Sequence, residues 1–108
     1  MTDNTKSILV LCTSPDPASA KSIAEKLVNE KLAACVNVIP GVQSIFRWQG
    51  TIDHANENIL VIKTKDNLYS ELEERIKELH PYELPEIISV SIEKGLLKYL
   101  DWINESTK

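Results

Sequence analysis

Only two cysteines and three glycines occur in the 108 residues, and no apolar run approaches the roughly 20 residues that a membrane-crossing helix needs. No membrane association is expected. The cysteines, Cys12 and Cys35, lie far apart in no CxxC or CxxH spacing, so neither reads as half of a disulfide, and both should remain thiols in a reducing compartment. The glycines (Gly41, Gly50 and Gly95) are too few and too dispersed for a phosphate-cradling loop, and the first loop is instead Ser14-Pro15-Asp16-Pro17. No cluster of serine, histidine and carboxylate suggests an activated nucleophile, so an enzyme is not expected. A basic stripe is also missing: the net charge is −4, with lysines and arginines scattered among acids, which argues against a nucleic-acid partner. Met1 to Lys6 is polar and lacks an apolar signal core, and the expected location is the cytoplasm.

What is present is the composition of one ordinary domain, 43% hydrophobic and 26% charged, over residues 1–108 with residues 1–6 as a flexible tail. Ser7 to Thr13 is a short branched run that reads as a strand. Asp16 followed by Pro17 predicts a helix start, and Ala20, Ile23, Ala24, Leu27 and Val28 recur on one helical face to about Lys31. Ala34 to Ile52 is strand-like but interrupted at Pro40-Gly41, which predicts a bend. Gln49-Gly50 predicts a hairpin turn, and a further strand reaches Lys65 with Ile59 to Ile62 as its buried part. Asp66 is expected to cap a second helix with Leu68, Leu72, Ile76 and Leu79 as its stripe, ending before Pro81. Glu86 to Glu93 alternates Ile88, Val90 and Ile92 with serines, a fourth strand. Gly95 opens a short last helix with Leu96, Leu100 and Ile103 on one side.

The order βαββαβ plus a C-terminal helix predicts an α+β ferredoxin-like sandwich, with two helices on one face of a four-stranded antiparallel sheet. One sheet face would then be bare. Yet the first strand is apolar at both parities (Ile8, Val10 and Cys12 against Leu9 and Leu11), as is Ile59 to Ile62, so something must cover the second face. Another copy of the chain is the simplest cover, and a homo-oligomer follows; the competing cover is the terminal helix, which is short for a sheet.

Taken together, Leu11-Cys12-Thr13 with Pro15-Asp16, Glu30 to Cys35, Ile39-Pro40-Gly41, Trp48 with Gly50, Lys63-Thr64, His80-Pro81-Tyr82, Pro85-Glu86 and Tyr99 to Trp102 resemble the CutA divalent-cation tolerance family. The resemblance spans about residues 8 to 103, and its specificity lies in the order and spacing of these segments. It implies a homotrimer of ferredoxin-like subunits with sheet faces around a threefold axis, similar in architecture to PII signalling trimers. It further implies a role in the response to metal ions. Some bacterial members bind copper through the cysteine after the first strand and a His-His pair before Pro-Tyr; the matching positions here are Cys12, Leu79 and His80, so one of three ligands is replaced by leucine.

From the residues themselves, a thiolate with an imidazole suits Cu(I), or part of a Cu(II) or other divalent-cation set, with Asp16, Glu83 or Glu86 as a third ligand. The competing reading is that Cys12 packs as a small buried hydrophobe and His80 caps its helix; Cys35 is read as packing. No organic cofactor is expected. A small-molecule cleft between subunits is the alternative site, lined by Trp48, Glu57, Lys63, Tyr82 and Glu86, with Glu57 and Lys63 sharing a strand face; a salt bridge would explain those two charges equally well.

Overall fold

A computed structural model describes residues 5–108. Four strands, β1 (Ser7–Ser14), β2 (Cys35–Trp48), β3 (Thr51–Lys65) and β4 (Ile87–Ser91), form one antiparallel sheet in the order β2-β3-β1-β4. Helices α1 (Pro17–Asn29) and α2 (Tyr69–Leu79) make the two crossovers, and α3 (Leu97–Glu105) follows the last strand. This is the expected α+β sandwich. Of the anticipated tail, residues 1–4 lie outside the described residues. Residues 5 and 6 are tied down: Asn67 donates to the Thr5 hydroxyl, and the Asp66 N–H donates to the Lys6 carbonyl at 2.7 Å.

Local signals place most boundaries. Asp16 caps α1, its Oδ1 accepting the Ser19 N–H at 2.7 Å, with Pro17 in the first turn where its missing N–H costs nothing. The helix buries Ala20, Ile23 and Leu27 and ends before Lys31, whose φ of 60° lets the Leu32 N–H return to the Leu27 carbonyl. Gln49 and Gly50, with φ of 51° and 84°, form the two-residue turn whose twist suits a tight hairpin. At Pro40-Gly41 the register moves from Ile39 opposite Ile59 to Val42 opposite Glu57, so β2 carries one extra residue. Gly41 takes φ 74° there, a conformation open to a residue without Cβ.

Asp66 departs from expectation. It opens a 3-10 turn (Asp66–Leu68) and makes no side-chain capping bond, because the chain must first turn off β3 before α2 begins at Tyr69. Lys65 and Leu68, rather than an Asx-type cap, precede the two helical pieces.

The core lies between the sheet and α1 and α2. Ile8, Val10 and Cys12 face Leu27, Leu60, Ile62, Leu72 and Ile76 there, nearly all at zero exposure. On β4 it is Ile87 that packs against this core, while Ile88 and Val90 point to the other face and stay 52% and 49% exposed. With Leu9, Leu11 and Val61 in register beside them, they make an apolar strip on the open side. The terminal helix leaves Ile88 and Val90 exposed. α3 anchors through Ile103 and through Lys65 Nζ on the Asn104 carbonyl, and the chain end reaches Lys31 and Glu71; Leu96 and Leu97 remain exposed. Leu100, expected beside Leu96 on a buried side, instead rests on Gly95, where a Cβ would come within 3.0 Å of its Cδ2.

Beyond Asn58, β3 pairs with β2 alone, and the two strands continue as a free arm to the turn. The arm makes the molecule elongated, 52 × 25 × 23 Å.

Candidate functional site

Strand β1 ends at Thr13 and Ser14, and α2 ends at Leu79, so His80 arrives beside the end of β1 as the fold topology requires. His80 is 8% exposed, and its Nε2 lies 2.6 Å from the Thr13 carbonyl oxygen. Its Nδ1 accepts the Tyr82 N–H at 3.1 Å. These two bonds fix the tautomer: Nδ1 is the acceptor, so Nε2 carries the hydrogen and donates to Thr13. The Cys12 thiol donates to the same carbonyl at 3.7 Å. Cys12 and His80 thus converge on one backbone oxygen.

As placed, the pair presents no free donor to a metal. Neither ring nitrogen of His80 has a free lone pair. Cys12 is fully buried, and burial, followed by the nearby Glu86 and Glu57 charges, pushes its thiol up to about 12, far from the thiolate a metal needs. Leu79 brings no donor and packs against the core. Asp16 is committed to the Ser19 N–H. Among the described residues, no group of three histidine, cysteine or acidic side chains is arranged to hold a metal ion. Cys12 packs as the small hydrophobe of the competing reading, and His80 pins the loop after α2 to β1; its ring bonds a strand carbonyl, not the helix carbonyls.

Tyr82 continues this pinning. Its ring sits 4.9 Å from that of His80, and its hydroxyl donates to Glu57 Oε2 at 2.7 Å, tying the same loop to β3. Burial, the Glu57 hydrogen bond and the charges of Glu57 and Asp16 push the Tyr82 phenol up to about 12, so it is a donor throughout the neutral range. Glu57 is only 7% exposed. Among the described residues its hydrogen-bond donor is that phenol alone.

Between this pinned loop and the arm lies an open cleft of about 780 Å³. Thr13 and Glu57 form its inner end; Phe46, Trp48 and Ile45 line the arm side, Leu84 and Pro85 the loop side. Asp53, Glu83 and Glu86 stand on it as well, with Arg47 as the single base. Four of the five residues anticipated for a cleft therefore meet, and they do so within one chain. Lys63 does not join them. It lies six residues from Glu57 along β3, about 20 Å of strand, and its Nζ bonds the Asn37 side chain and approaches Cys35 Sγ at 3.8 Å. Sharing a strand face placed Lys63 and Glu57 on one side of the sheet, at opposite ends of it.

Phe46, Arg47 and Asp53 were missed in the sequence, although a signal existed. Counting back from the Gln49-Gly50 turn pairs Trp48 with Thr51, Arg47 with Ile52 and Phe46 with Asp53. What the count does not provide is the loop that closes the other wall.

The family described as CutA1 divalent ion tolerance protein matches residues 8–106. The divalent-cation tolerance protein CutA of Thermus thermophilus is 48% identical over 99 residues, 92% of this chain and 96% of its own length. A rice relative, "Protein CutA 1, chloroplastic", is 42% identical over 102 residues; the match takes in 94% of this chain and 58% of that longer one. A solved structure of the divalent cation tolerance protein Cut A1 from Thermus thermophilus superposes with a TM-score of 0.93 at 46% identity, over 94% of this chain and 99% of the other. By sequence and by fold, the chain belongs to the CutA1 divalent ion tolerance family.

Proposed function

We propose that this chain acts in tolerance to divalent cations as a cytoplasmic homotrimer, binding rather than transforming its ligand. The tolerance role is taken from the names its relatives carry. The observation that carries the assembly is the apolar strip of Leu9, Leu11, Val61, Ile88 and Val90 on the sheet face away from the core, where Ile88 and Val90 stay about half-exposed. An apolar face of this kind is stabilised by association, and a closed ring of copies leaves no strip exposed. The free cysteines suit a reducing compartment.

Light scattering on wild-type protein is expected to give three subunits at micromolar concentration. The double variant Ile88→Asp, Val90→Asp should fall to single subunits with its far-UV circular dichroism kept. A wild-type mass of one subunit would remove the assembly.

Copper at Cys12 and His80 would have to displace the Thr13 carbonyl or the Tyr82 N–H from the imidazole and ionise a buried thiol. Titration of reduced protein with Cu(I) and Cu(II), beside Cys12→Ala and His80→Ala, is therefore expected to show the same stoichiometry in all three. Loss of one copper per subunit in either variant would restore the pair as the metal site. The cleft is favoured instead as the place where a small ligand acts, because its inner end holds a buried carboxylate with one donor.

A further inference from the structure

The cleft between the arm and the pinned loop has a chemistry that selects among ligands. Its inner wall is Glu57, more than nine-tenths buried, with Oε2 occupied by the Tyr82 hydroxyl. A carboxylate largely shielded from water, with one hydrogen bond from the protein, gains from a cation that completes its shell. The second carboxylate oxygen is not walled in by protein, because Glu57 borders the cleft and can present that oxygen to a ligand there. Asp53, Glu83 and Glu86 add three more carboxylates against one guanidinium, Arg47, so the space is held at negative potential.

A compact metal ion is not what this arrangement fits. The acids are spread along the cleft, and among the described residues no three of them converge as ligands. The walls between them are apolar: Phe46 and Trp48 on one side, Leu84 and Pro85 on the other. Aromatic faces attract ammonium groups, and apolar walls take methylene chains. A volume of about 780 Å³ is within the range of small-molecule sites.

We propose that the cleft between the arm and the 82–86 loop binds a small organic cation, an alkyl chain bearing two or more ammonium groups, with one ammonium on Glu57 and another on the outer acids. This rests on the reading of the cleft as a ligand site and names the class of ligand. Glu57 is the anchor, since it is the most buried acid on the cleft and one of its oxygens faces the space; Tyr82 is a positioning residue that holds the carboxylate toward it.

Isothermal titration calorimetry of the full chain with spermidine at fixed ionic strength tests it, run beside magnesium, citrate and adenosine diphosphate. Spermidine is expected to bind saturably, and Glu57→Gln to weaken it about tenfold or more, since an amide keeps the Tyr82 bond but removes the charge. Glu86→Gln, an exposed change that leaves folding alone, should weaken it less, and Glu25→Gln on the far surface of α1 should leave it unchanged. Equal loss in all three variants, or none, would mean diffuse surface attraction and overturn the proposal. Magnesium binding as tightly with the same dependence on Glu57 would overturn it in favour of a metal. Binding of citrate or the nucleotide, lost in Trp48→Ala, would overturn the cation class and keep the cleft. Heat from none of the four ligands would overturn both the class and the cleft reading beneath it.

Discussion

Strand β3 runs through two regions that obey different rules. In the body, Ile62 is fully buried between β1, β2 and the helices; in the arm, ten residues earlier on the same strand, Ile52 is 63% exposed. The body is held by its own core. The arm is a two-stranded ribbon, a form that is marginal alone in water, and it keeps its apolar side chains Ile45, Phe46 and Trp48 partly in solvent. The contrast teaches that hydrophobic pattern signals burial somewhere, without saying whether the burying partner is the same chain. In the body the partner is local. In the arm and on the open sheet face it must come from outside the chain or go unfilled.

The sharpest way to break this comparison is to shorten both isoleucines. Ile62→Ala is expected to lose about 2–5 kcal/mol in urea unfolding at any protein concentration, from transfer and cavity terms together. Ile52→Ala should lose less than about 0.5 kcal/mol at dilutions where copies are apart. Equal losses under those conditions would mean the arm is part of one continuous core. A second test stays in the arm: Gly50→Ala puts a Cβ on a residue at φ 84°, with open space around it, so the effect is backbone strain alone. A loss of about 1 kcal/mol is expected, measured as an earlier thermal transition of the arm by hydrogen exchange while body amides keep their protection.

In the body, the Arg75 guanidinium grips Glu30 with two bonds of 2.9 Å, tying the end of α1 to α2. The Arg75 hydrogen bond holds the Glu30 carboxyl below its ordinary range, so this bridge stabilises above the unfolded value of about 4.3 and is lost as pH falls through the lower folded one. Glu30→Gln is thus expected to lower the melting temperature at pH 7 by a small amount, since both groups are part-exposed, and the difference from wild type should vanish in strong acid. One change is expected to be a gain. Lys31→Gly relieves the left-handed backbone at the end of α1 and should raise stability by about 0.5–1 kcal/mol in chemical denaturation, a body-only change that leaves the arm's exchange as it was.

Much of the fold was legible because its signals are local. Asp16-Pro17, Gln49-Gly50 and Pro40-Gly41 each act through the geometry of one or two residues, and each appears where the sequence places it. Asp66 misled because a capping residue type reports only that a turn begins, and here a 3-10 turn intervenes. Leu96 and Leu100 misled because a helical stripe names a face without naming what lies opposite. The candidate site was half legible. Trp48, Glu57, Tyr82 and Glu86 were singled out as polar or aromatic residues among apolar strands, and they meet; Lys63 met the same criterion and lies elsewhere. The occupation of both His80 nitrogens was not legible at all, since it depends on a strand carbonyl 67 positions away in the chain.

The extra residue at Pro40-Gly41 acts as a phase shifter. Before it, Cys35, Asn37 and Ile39 share a face with Ile59, Val61 and Lys63; after it, Val42, Ser44, Phe46 and Trp48 take over that side opposite Glu57, Ala55, Asp53 and Thr51. Deleting one residue there would restore plain alternation, with Val42 still opposite Glu57, and would leave Phe46 and Trp48 on the side they now hold. The odd spacing is what the extra residue absorbs: Ile39 and Val42, three positions apart in the chain, face the same way, so the cleft wall continues the face of the body although the sequence parity changes from odd to even.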